Sequence, residues 1–323
     1  MSAATEARVR AAIDELGYRV DRAARGLVTG RRETVALVIP DIGDPFAAQL
    51  TLGVTRSLGT RYRVILVVTG PEPTSRTELD DVLALGIDGV IVDSLSALQA
   101  VPNAHPGPPV VLLDAPGTTS GLPRVDFDIE QGALALAEHL LALGHRRFAY
   151  LDWAREASTF DVRRERFLAS ARAAGAAVDV QRSAITVDAG AAAFRTHWEA
   201  WRDAGVTALV CCTDLQAYGV LRETASCGVS VPGSLSVAGF NDLEFSALIS
   251  PPLTTVRLSA LELGLASGEL LIRLIEGTET ALAAVRLPAP LVVRASTGPP
   301  QPVDAEHGMT RSRRADLVGA SGD

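Results

Sequence analysis

The sequence of 323 residues has no lysine, only three cysteines and few aromatic residues. Cys211 and Cys212 are adjacent within an apolar run and Cys227 ends a helix-like segment, so the cysteines do not predict a disulfide framework. No stretch approaches the roughly 18 consecutive apolar residues of a membrane span, and the N-terminus lacks the pattern of a secretory signal. These absences predict a cytoplasmic protein with three buried thiols and no membrane contact.

Size and charge point to two parts with different roles. A chain of 323 residues that is 47% hydrophobic exceeds what one core usually supports, which predicts two lobes. Residues 1–32 hold seven arginines and four acidic residues, a net charge of +3. The remaining residues must therefore carry −11 to give the total of −8. The basic end is therefore the expected contact for a polyanion, although arginines on a solvated helix give the same pattern.

From Thr34 onward, short β-branched runs alternate with longer segments of helical period. Such near-continuous apolar strands are typical of parallel sheets covered by helices on both faces. The first series of expected strands comprises residues 35–39, 62–68, 89–93 and 110–114. The rhythm then restarts with helix 131–143, strand 147–152, helix 163–174, strand 183–187, helix 191–204, strand 208–213 and helix 216–227. The repetition predicts two similar α/β lobes.

The ends of the chain differ from this pattern. Residues 5–17 predict one short helix with Thr5 as its cap. Residues 21–29 form only a weak helix, because Gly26 near the middle costs about 1 kcal/mol relative to alanine. Residues 298–323 mix proline, glycine, serine and charges without periodicity, which predicts a disordered tail.

Several sequence blocks occur in an order typical of one family. The most specific set is Gly228-Val-Ser-Val-Pro232, Gly239-Phe-Asn-Asp242, Ser250-Pro-Pro-Leu-Thr-Thr-Val256 and Glu262-Leu-Gly264. The other matching blocks are Ile39-Pro-Asp-Ile-Gly-Asp-Pro-Phe46, Asp126-Phe-Asp-Ile-Glu-Gln-Gly132, His139-Leu-Leu-Ala-Leu-Gly-His-Arg-Arg147 and Thr213-Asp-Leu-Gln-Ala217. With these blocks the chain resembles the LacI/GalR family of bacterial transcription regulators over about residues 5–297.

The resemblance implies a periplasmic-binding-protein-like fold. Two Rossmann-type lobes with parallel sheets are expected, joined by three crossovers near Phe127, Val256 and Pro288. Ligands of such folds bind outside the carboxyl ends of the strands, between the lobes. The expected parts are a remnant of the DNA-binding head at 1–31, an N-terminal lobe at 34–127 and 257–287, a C-terminal lobe at 128–256 and 288–297, and the tail.

The resemblance also implies an effector site. The positions that match the family's pocket are Asp44, Phe46, Asp114, Phe127, Arg163, Asp188, Thr213 and Asn241. A neutral sugar or polyol needs donors, acceptors and a flat apolar surface, and the planar fork of Arg163 can hold two hydroxyls or a carboxylate. Thr213 stands where an Asn-Asp pair is usual, and Asp188 lies near a position that often holds an aromatic residue. These two departures make a smaller or more polar metabolite credible.

Each of these positions has an ordinary alternative. An aspartate after a strand, such as Asp44 or Asp114, can equally cap a helix. Phe46 and Phe127 can be core residues. The assignment of Arg163 rests on its alignment with Phe167, because the neighbouring arginines at 164 and 166 are rivals that can be surface charges.

At the N-terminus the chain resembles only part of the family's DNA-binding head. Residues 5–17 match its third helix, and residues 18–27 match its hinge helix, with Leu27 as the minor-groove wedge and Arg22 and Arg25 available for phosphates. The helix that reads base edges has no counterpart, so this chain is expected to bind operator DNA weakly or not at all. A start assigned too far downstream is favoured over a truncated gene or a regulator that has lost DNA binding.

The function expected from the resemblance is that of a homodimeric, cytoplasmic transcription regulator, a repressor, whose operator affinity depends on a sugar or small-metabolite effector. Neither a phosphate-binding loop, nor a nucleophile elbow, nor metal-spaced histidines or cysteines occur in the sequence, which argues against an enzyme or a cofactor. The alternatives are a cytoplasmic sensor without DNA binding and a periplasmic-type sugar-binding protein, which would need an export signal.

Overall fold

The computed structural model describes residues 3–16, 32–70, 81–84, 86–93, 107–116, 121–155, 158–279 and 283–301. Across these ranges, no helix combines the length and apolar character needed to cross a bilayer. The chain divides into two compact units. The first comprises Met1–Phe127 and Ala260–Leu287, and the second comprises Asp128–Ser259 and Pro288–Asp323.

The first unit is built on a parallel sheet with the strand order β11-β5-β4-β3-β1-β2. Its strands are β1 (Thr34–Ile39), β2 (Arg63–Val68), β3 (Gly89–Asp93), β4 (Val110–Leu113), β5 (Arg124–Phe127) and β11 (Ala284–Leu287). Its long helices include α2 (Pro45–Leu58) and α7 (Ala260–Glu276). Every residue of β1, β3 and β4 is buried, as expected for strands covered on both faces.

The second unit repeats this plan with the strand order β12-β10-β9-β8-β6-β7, and only β12 runs antiparallel to its neighbour. Its strands are β6 (Arg147–Trp153), β7 (Ala177–Ser183), β8 (Ala208–Cys211), β9 (Ser236–Asn241), β10 (Thr254–Arg257) and β12 (Leu291–Val292). Its helices are α3 (Ile129–Ala142), α4 (Ser158–Ala173), α5 (Val187–Asp203), α6 (Asp214–Cys227) and a 3-10 helix (Glu244–Ala247).

The core of the second unit is rich in aromatic side chains on the α4 side of its sheet. Phe148 and Tyr150 are two positions apart on β6 and therefore point to the same face. Both rings contact Phe167 of α4 there, at centroid distances of 5.5 and 5.6 Å. All three side chains are fully buried. Aromatic residues are few in the sequence, and this unit concentrates them where large rings fill the space between helix and sheet.

Some elements differ from the expectation. The strand expected at 183–187 is wrong: β7 lies at Ala177–Ser183, and Thr186 caps α5 by accepting a hydrogen bond from the amide of Ala189 at 3.1 Å. The N-terminal helix α1 spans Ala3–Leu16, so Thr5 lies within its first turn and does not cap it.

Two further expectations are corrected. Cys227 is exposed, because it ends α6 on the solvent side, whereas the other two thiols are buried. Gly298, the first residue of the expected tail, is tied to the second unit: its amide donates to Ser236 Oγ at 3.0 Å and its carbonyl lies 2.9 Å from His145 Nε2. Residues 302–323 lie outside the described ranges.

Candidate functional site

In the first unit, the four expected site residues follow strands or end one. Asp44 comes after β1 and caps α2, its carboxylate accepting a hydrogen bond from the amide of Phe46 at 2.9 Å. Burial raises the pKa of Asp44, and the hydrogen bond from Phe46 opposes this effect. The capping alternative for Asp44 is therefore observed.

Asp114 and Phe127 occupy the neighbouring strand ends. Asp114 follows β4, is buried, and has a positive φ of 46°, which is uncommon outside glycine. Its amide donates to the carbonyl of Val125 at 2.9 Å, which holds it beside β5. Phe127 is the last residue of β5 and is only 2% exposed, as a core residue would be, whereas Phe46 is half-buried.

In the second unit, Arg163 is buried within α4 and its guanidinium reaches the carboxyl end of the sheet. Its Nη1 donates to the carbonyl of Cys212, directly after β8, at 3.0 Å. The guanidinium carbon lies 4.6 Å from the ring centroid of Phe160 and 5.4 Å from that of Phe240. Two aromatic faces and a carbonyl therefore fix the planar group in one position.

The rival arginines occupy different places. Arg164 forms an ion pair with Asp152, with 2.5 Å between Nη1 and Oδ2, and a second one with Asp161 at 2.8 Å. Arg166 is exposed, and Phe167 is fully buried. Of the three arginines, only Arg163 is buried with its guanidinium beside β9.

Asn241 directly follows Phe240 and ends β9, so it lies at the same end of the sheet as the Cys212 carbonyl that Arg163 contacts. Its φ is 113° and that of Asp242 is 54°, so two successive non-glycine residues adopt positive φ. Such strain is concentrated at functional sites in proteins. The Oδ1 atom of Asn241 is buried and has no hydrogen-bond partner among the described residues.

Thr213 and Asp188 are placed differently from each other. Thr213 follows β8 and caps α6, accepting a hydrogen bond from the amide of Gln216 at 3.5 Å, and it is 5% exposed. Asp188 lies in the first turn of α5 with a side chain that is 91% exposed, and it pairs with Arg222 at 2.8 Å. The described contacts bring Arg163, Thr213 and Asn241 to one end of the sheet, and none of them joins Asp188 to this group.

Sequence reasoning missed three buried polar residues at the same end of the sheet. Gln216 donates from Nε2 to Ser183 Oγ at 2.9 Å and to the carbonyl of Asp152 at 3.3 Å, which ties β6 to β7. Asp152 and Asp214 are both fully buried. Asp214 and Gln216 belong to a block that the resemblance had marked, but only the fold reveals that their side chains point inward.

Together these groups can bind a polar, uncharged ligand. The guanidinium of Arg163 and the carboxamide of Asn241 supply donors and an acceptor, while the aromatic rings supply a flat apolar surface. The carboxylates of Asp152 and Asp242 are matched by arginines. In the part of the chain that the structure describes, no cluster of His, Cys, Asp or Glu has the arrangement of a metal site. The expected hinge residues Arg22, Arg25 and Leu27 lie outside the described residues.

Comparisons with known proteins agree on one kind of relative. The sequence profile of the periplasmic binding protein-like domain matches residues 137–297. The HTH-type transcriptional regulator CelR of Thermobifida fusca is 31% identical over 312 residues, which cover 92% of this chain and 90% of CelR.

Solved structures give the same result. A LacI family transcriptional regulator from Enterococcus faecium with bound ribose is similar with a TM-score of 0.74 and 25% identity, covering 83% of this chain and 100% of that one. A complex of the regulator CelR with cellobiose is similar with a TM-score of 0.71 and 28% identity, covering 92% and 91%. Both similar structures hold a sugar.

Proposed function

The chain belongs to the LacI family of transcriptional regulators, and we propose that it regulates transcription in response to a sugar or polyol bound at the carboxyl ends of its strands. The relatives are transcription regulators and not enzymes. This favours a regulator over the sensor and transport alternatives.

The observation that carries the proposal is that Arg163 and Asn241 both reach the carboxyl end of the second sheet. A buried guanidinium lies over the ring of Phe240, and the next residue presents a buried carboxamide oxygen without a partner among the described residues. A ligand with several hydroxyls can donate to this oxygen and accept from the guanidinium. The ribose and cellobiose complexes of the similar regulators support a ligand of this chemistry.

We assign the remaining expected residues to the same effector on the strength of the family resemblance. In the second unit these are Thr213 and Asp188, although the ion pair of Asp188 with Arg222 gives it the weakest support. In the first unit they are Asp44, Phe46, Asp114 and Phe127, all of which follow or end parallel strands. Carboxyl strand ends are where α/β folds bind ligands.

The partners follow from the same role. We propose that the protein acts in the cytoplasm as a homodimer, and that with the full DNA-binding head present it binds operator DNA with the hinge residues Arg22, Arg25 and Leu27 among the contacts. An effector changes operator affinity only as far as it prefers one state of the regulator over another. Supporting the dimer, Phe245 and Leu248 are 62% and 71% exposed on adjacent turns of the second unit.

The test is a thermal-shift screen of the 323-residue chain with sugars, polyols and nucleosides, ribose and cellobiose included. A compound at 100 times its dissociation constant adds about 2.7 kcal/mol to the free energy of unfolding. We expect a sugar or polyol to raise the melting temperature and Arg163→Ala to abolish the shift.

Arg166→Ala is the matched control, because Arg166 lies on the same helix but is exposed. It should leave the shift unchanged. If no compound in the screen stabilises the wild-type chain, or if Arg163→Ala binds as well as the wild type, the proposed effector site is wrong.

A further inference from the structure

Asp214 is the most connected buried carboxylate in the described part of the second unit. It is the first residue of α6, directly after the cap Thr213, and it is fully buried. Its Oδ2 accepts hydrogen bonds from the amide of Leu243 at 2.9 Å and from Ser246 Oγ at 2.6 Å, and its Oδ1 accepts one from Thr255 Oγ1 at 2.6 Å. One side chain therefore joins α6, the loop after β9, the 3-10 helix and β10.

The sequence of β9 is adapted to this carboxylate. A Cβ atom added at Gly239 would overlap Asp214 Oδ1, so a glycine at this position leaves the space that the carboxylate needs. Beyond the carboxylate, the hydroxyl of Tyr218 lies 2.8 Å from Ser246 Oγ and can donate to it, because Ser246 gives its own proton to Asp214.

The loop that Asp214 holds is the one that carries Asn241. Asn241 and Asp242 have positive φ, and Leu243, the next residue, donates its amide to Asp214. Two successive non-glycine residues keep such a conformation only where surrounding contacts impose it. From the other side, Asp242 accepts from Arg257 Nε at 2.7 Å and from Arg294 Nη2 at 2.6 Å.

We propose that Asp214 is the positioning residue of the effector site: its ionised carboxylate holds the loop after β9 so that the carboxamide of Asn241 is fixed at the carboxyl end of the sheet, and protonation releases this hold. The inference rests on the proposed function, because it assigns Asn241 to effector binding. If protonation of Asp214 releases the loop, effector affinity depends on pH in the physiological range.

The chemistry follows from counting donors. An ionised carboxylate accepts all three hydrogen bonds with the help of its charge, whereas a protonated oxygen donates, so the hydroxyl or amide that faces it must turn or move and the remaining bonds become weaker. Burial raises the pKa of Asp214 to about 7, although its bonds from Ser246, Thr255 and Leu243 favour the charged form.

Other ionisable groups also face this carboxylate. Asp242 raises its pKa further by charge repulsion. The thiol of Cys211 on β8 and the phenol of Tyr218 on α6 both interact with Asp214 and have raised pKa values, chiefly through burial, so they stay neutral near pH 7. Arg294 pairs with Asp242 and partly offsets its charge.

The test measures the dissociation constant, by titration calorimetry, for the compound of the screen that binds the wild-type chain at pH 8. With a midpoint near 7, the competent fraction falls from about 0.9 at pH 8 to about 0.1 at pH 6, so the dissociation constant should rise about tenfold. Asp214→Asn should bind weakly and with no such pH dependence.

Thr255→Val is a second variant that tests the proposal if Asp214→Asn does not fold. It removes one donor to the carboxylate, so the midpoint of the pH dependence should move upward. Thr224→Val is the matched control: Thr224 is equally buried, but its hydroxyl bonds to its own helix at Leu221. A residue with a merely structural role would alter stability without moving this midpoint.

The outcomes are distinct. A pH-independent dissociation constant in the wild type, or an unmoved midpoint in Thr255→Val, overturns this inference and leaves the proposed function standing. If no compound of the screen binds at pH 8, the proposed function fails and this inference fails with it.

Discussion

The imidazole of His145 ties the amino ends of the second sheet to the C-terminal segment. Its Nδ1 lies 2.8 Å from Thr207 Oγ1, and its Nε2 lies 3.1 Å from Ser236 Oγ and 2.9 Å from the carbonyl of Gly298. Because a carbonyl only accepts, Nε2 carries the proton and Nδ1 accepts from Thr207 in the neutral ring. Burial lowers the pKa of His145, and the bond to Gly298 opposes this effect.

The first prediction concerns this histidine. A lowered pKa means that the unfolded chain takes up a proton more readily, so the stabilisation by His145 is present above pH 6.5 and is lost as pH falls through the lowered value. His145→Ala should cost about 2–4 kcal/mol at pH 7.5, and less at pH 5. Urea denaturation at both pH values measures the difference.

His139→Ala serves as the comparison. His139 is less buried, and its Nε2 is within 3.0 Å of the hydroxyl of Thr297 alone among the described groups. It should cost less than His145→Ala at pH 7.5. An equal cost of His145→Ala at both pH values would contradict the assignment of a neutral, proton-sensitive ring.

The family resemblance located Arg163 and Asn241 in the sequence, but residue type alone does not reveal the inward orientation of Asp214. An aspartate after a capping threonine is expected to be a solvated first-turn residue that favours the helix dipole. Its inward orientation depends on Gly239, which lies far away in sequence and leaves room for it. Such a pair is created by the tertiary fold, so single-sequence reasoning cannot weigh it.

At the scale of elements, the helices α2 and α7 approach each other through glycines. A Cβ atom at Gly53 would overlap the carbonyl oxygen of Leu261, and one at Gly264 would overlap that of Leu50. Gly268 allows the same close approach to Ser57. The two backbones are therefore in direct contact, and these glycines are required by packing although they lower helix propensity.

The second prediction tests this contact. Replacing glycine by alanine within a helix normally stabilises it by about 1 kcal/mol. Gly53→Ala should instead destabilise the first unit by about 1–3 kcal/mol, because its methyl group meets backbone atoms that cannot move aside. Thermal unfolding measures the change, and hydrogen exchange should show faster exchange in α2 and α7.

Ala48→Gly is the control in the same helix. Ala48 is exposed, so this change should cost only the propensity difference. A stabilised Gly53→Ala variant would show that the two helices separate easily.

The alternation of strands and helices could be predicted from the sequence, because buried parallel strands are continuous apolar runs. The pattern did not give β5, β9, β10, β11 or β12 as strands, and it misplaced β7, an edge strand whose residues Ala177–Ser183 are all exposed or half-buried. Its apolar residues are too few for such a run, and the following Ile185 and Val187 gave a stronger apolar signal. Thr186 caps α5, so Val187 begins this helix and does not belong to a strand.

At the scale of the molecule, the two units share one plan and the chain passes between them at Phe127, Ser259 and Leu287. The largest exposed apolar side chains of the second unit are clustered in sequence at Phe245 and Leu248, on and just after the 3-10 helix. A two-fold dimer uses the same patch on both copies, so each of these side chains is buried once in each copy. This is the surface that we assign to the proposed dimer.

The third prediction follows from this assignment. Phe245→Ser and Leu248→Ser should each weaken self-association, and a loss of about 2 kcal/mol at a central contact raises the dissociation constant of the dimer about 30-fold. Sedimentation velocity over a range of protein concentrations measures it. Both side chains point to solvent, so the melting temperature of the monomeric variant should change little.

Val293→Ser is the matched control, because Val293 is 55% exposed in the same unit but follows the edge strand β12. It should leave the dimer intact. Equal weakening by all three substitutions would indicate non-specific apolar association, and a wild-type chain that stays monomeric at every concentration would contradict the dimer itself. A dimer broken only by Phe245→Ser and Leu248→Ser would place the 3-10 helix, which Asp214 holds through Ser246, at the contact between the two copies.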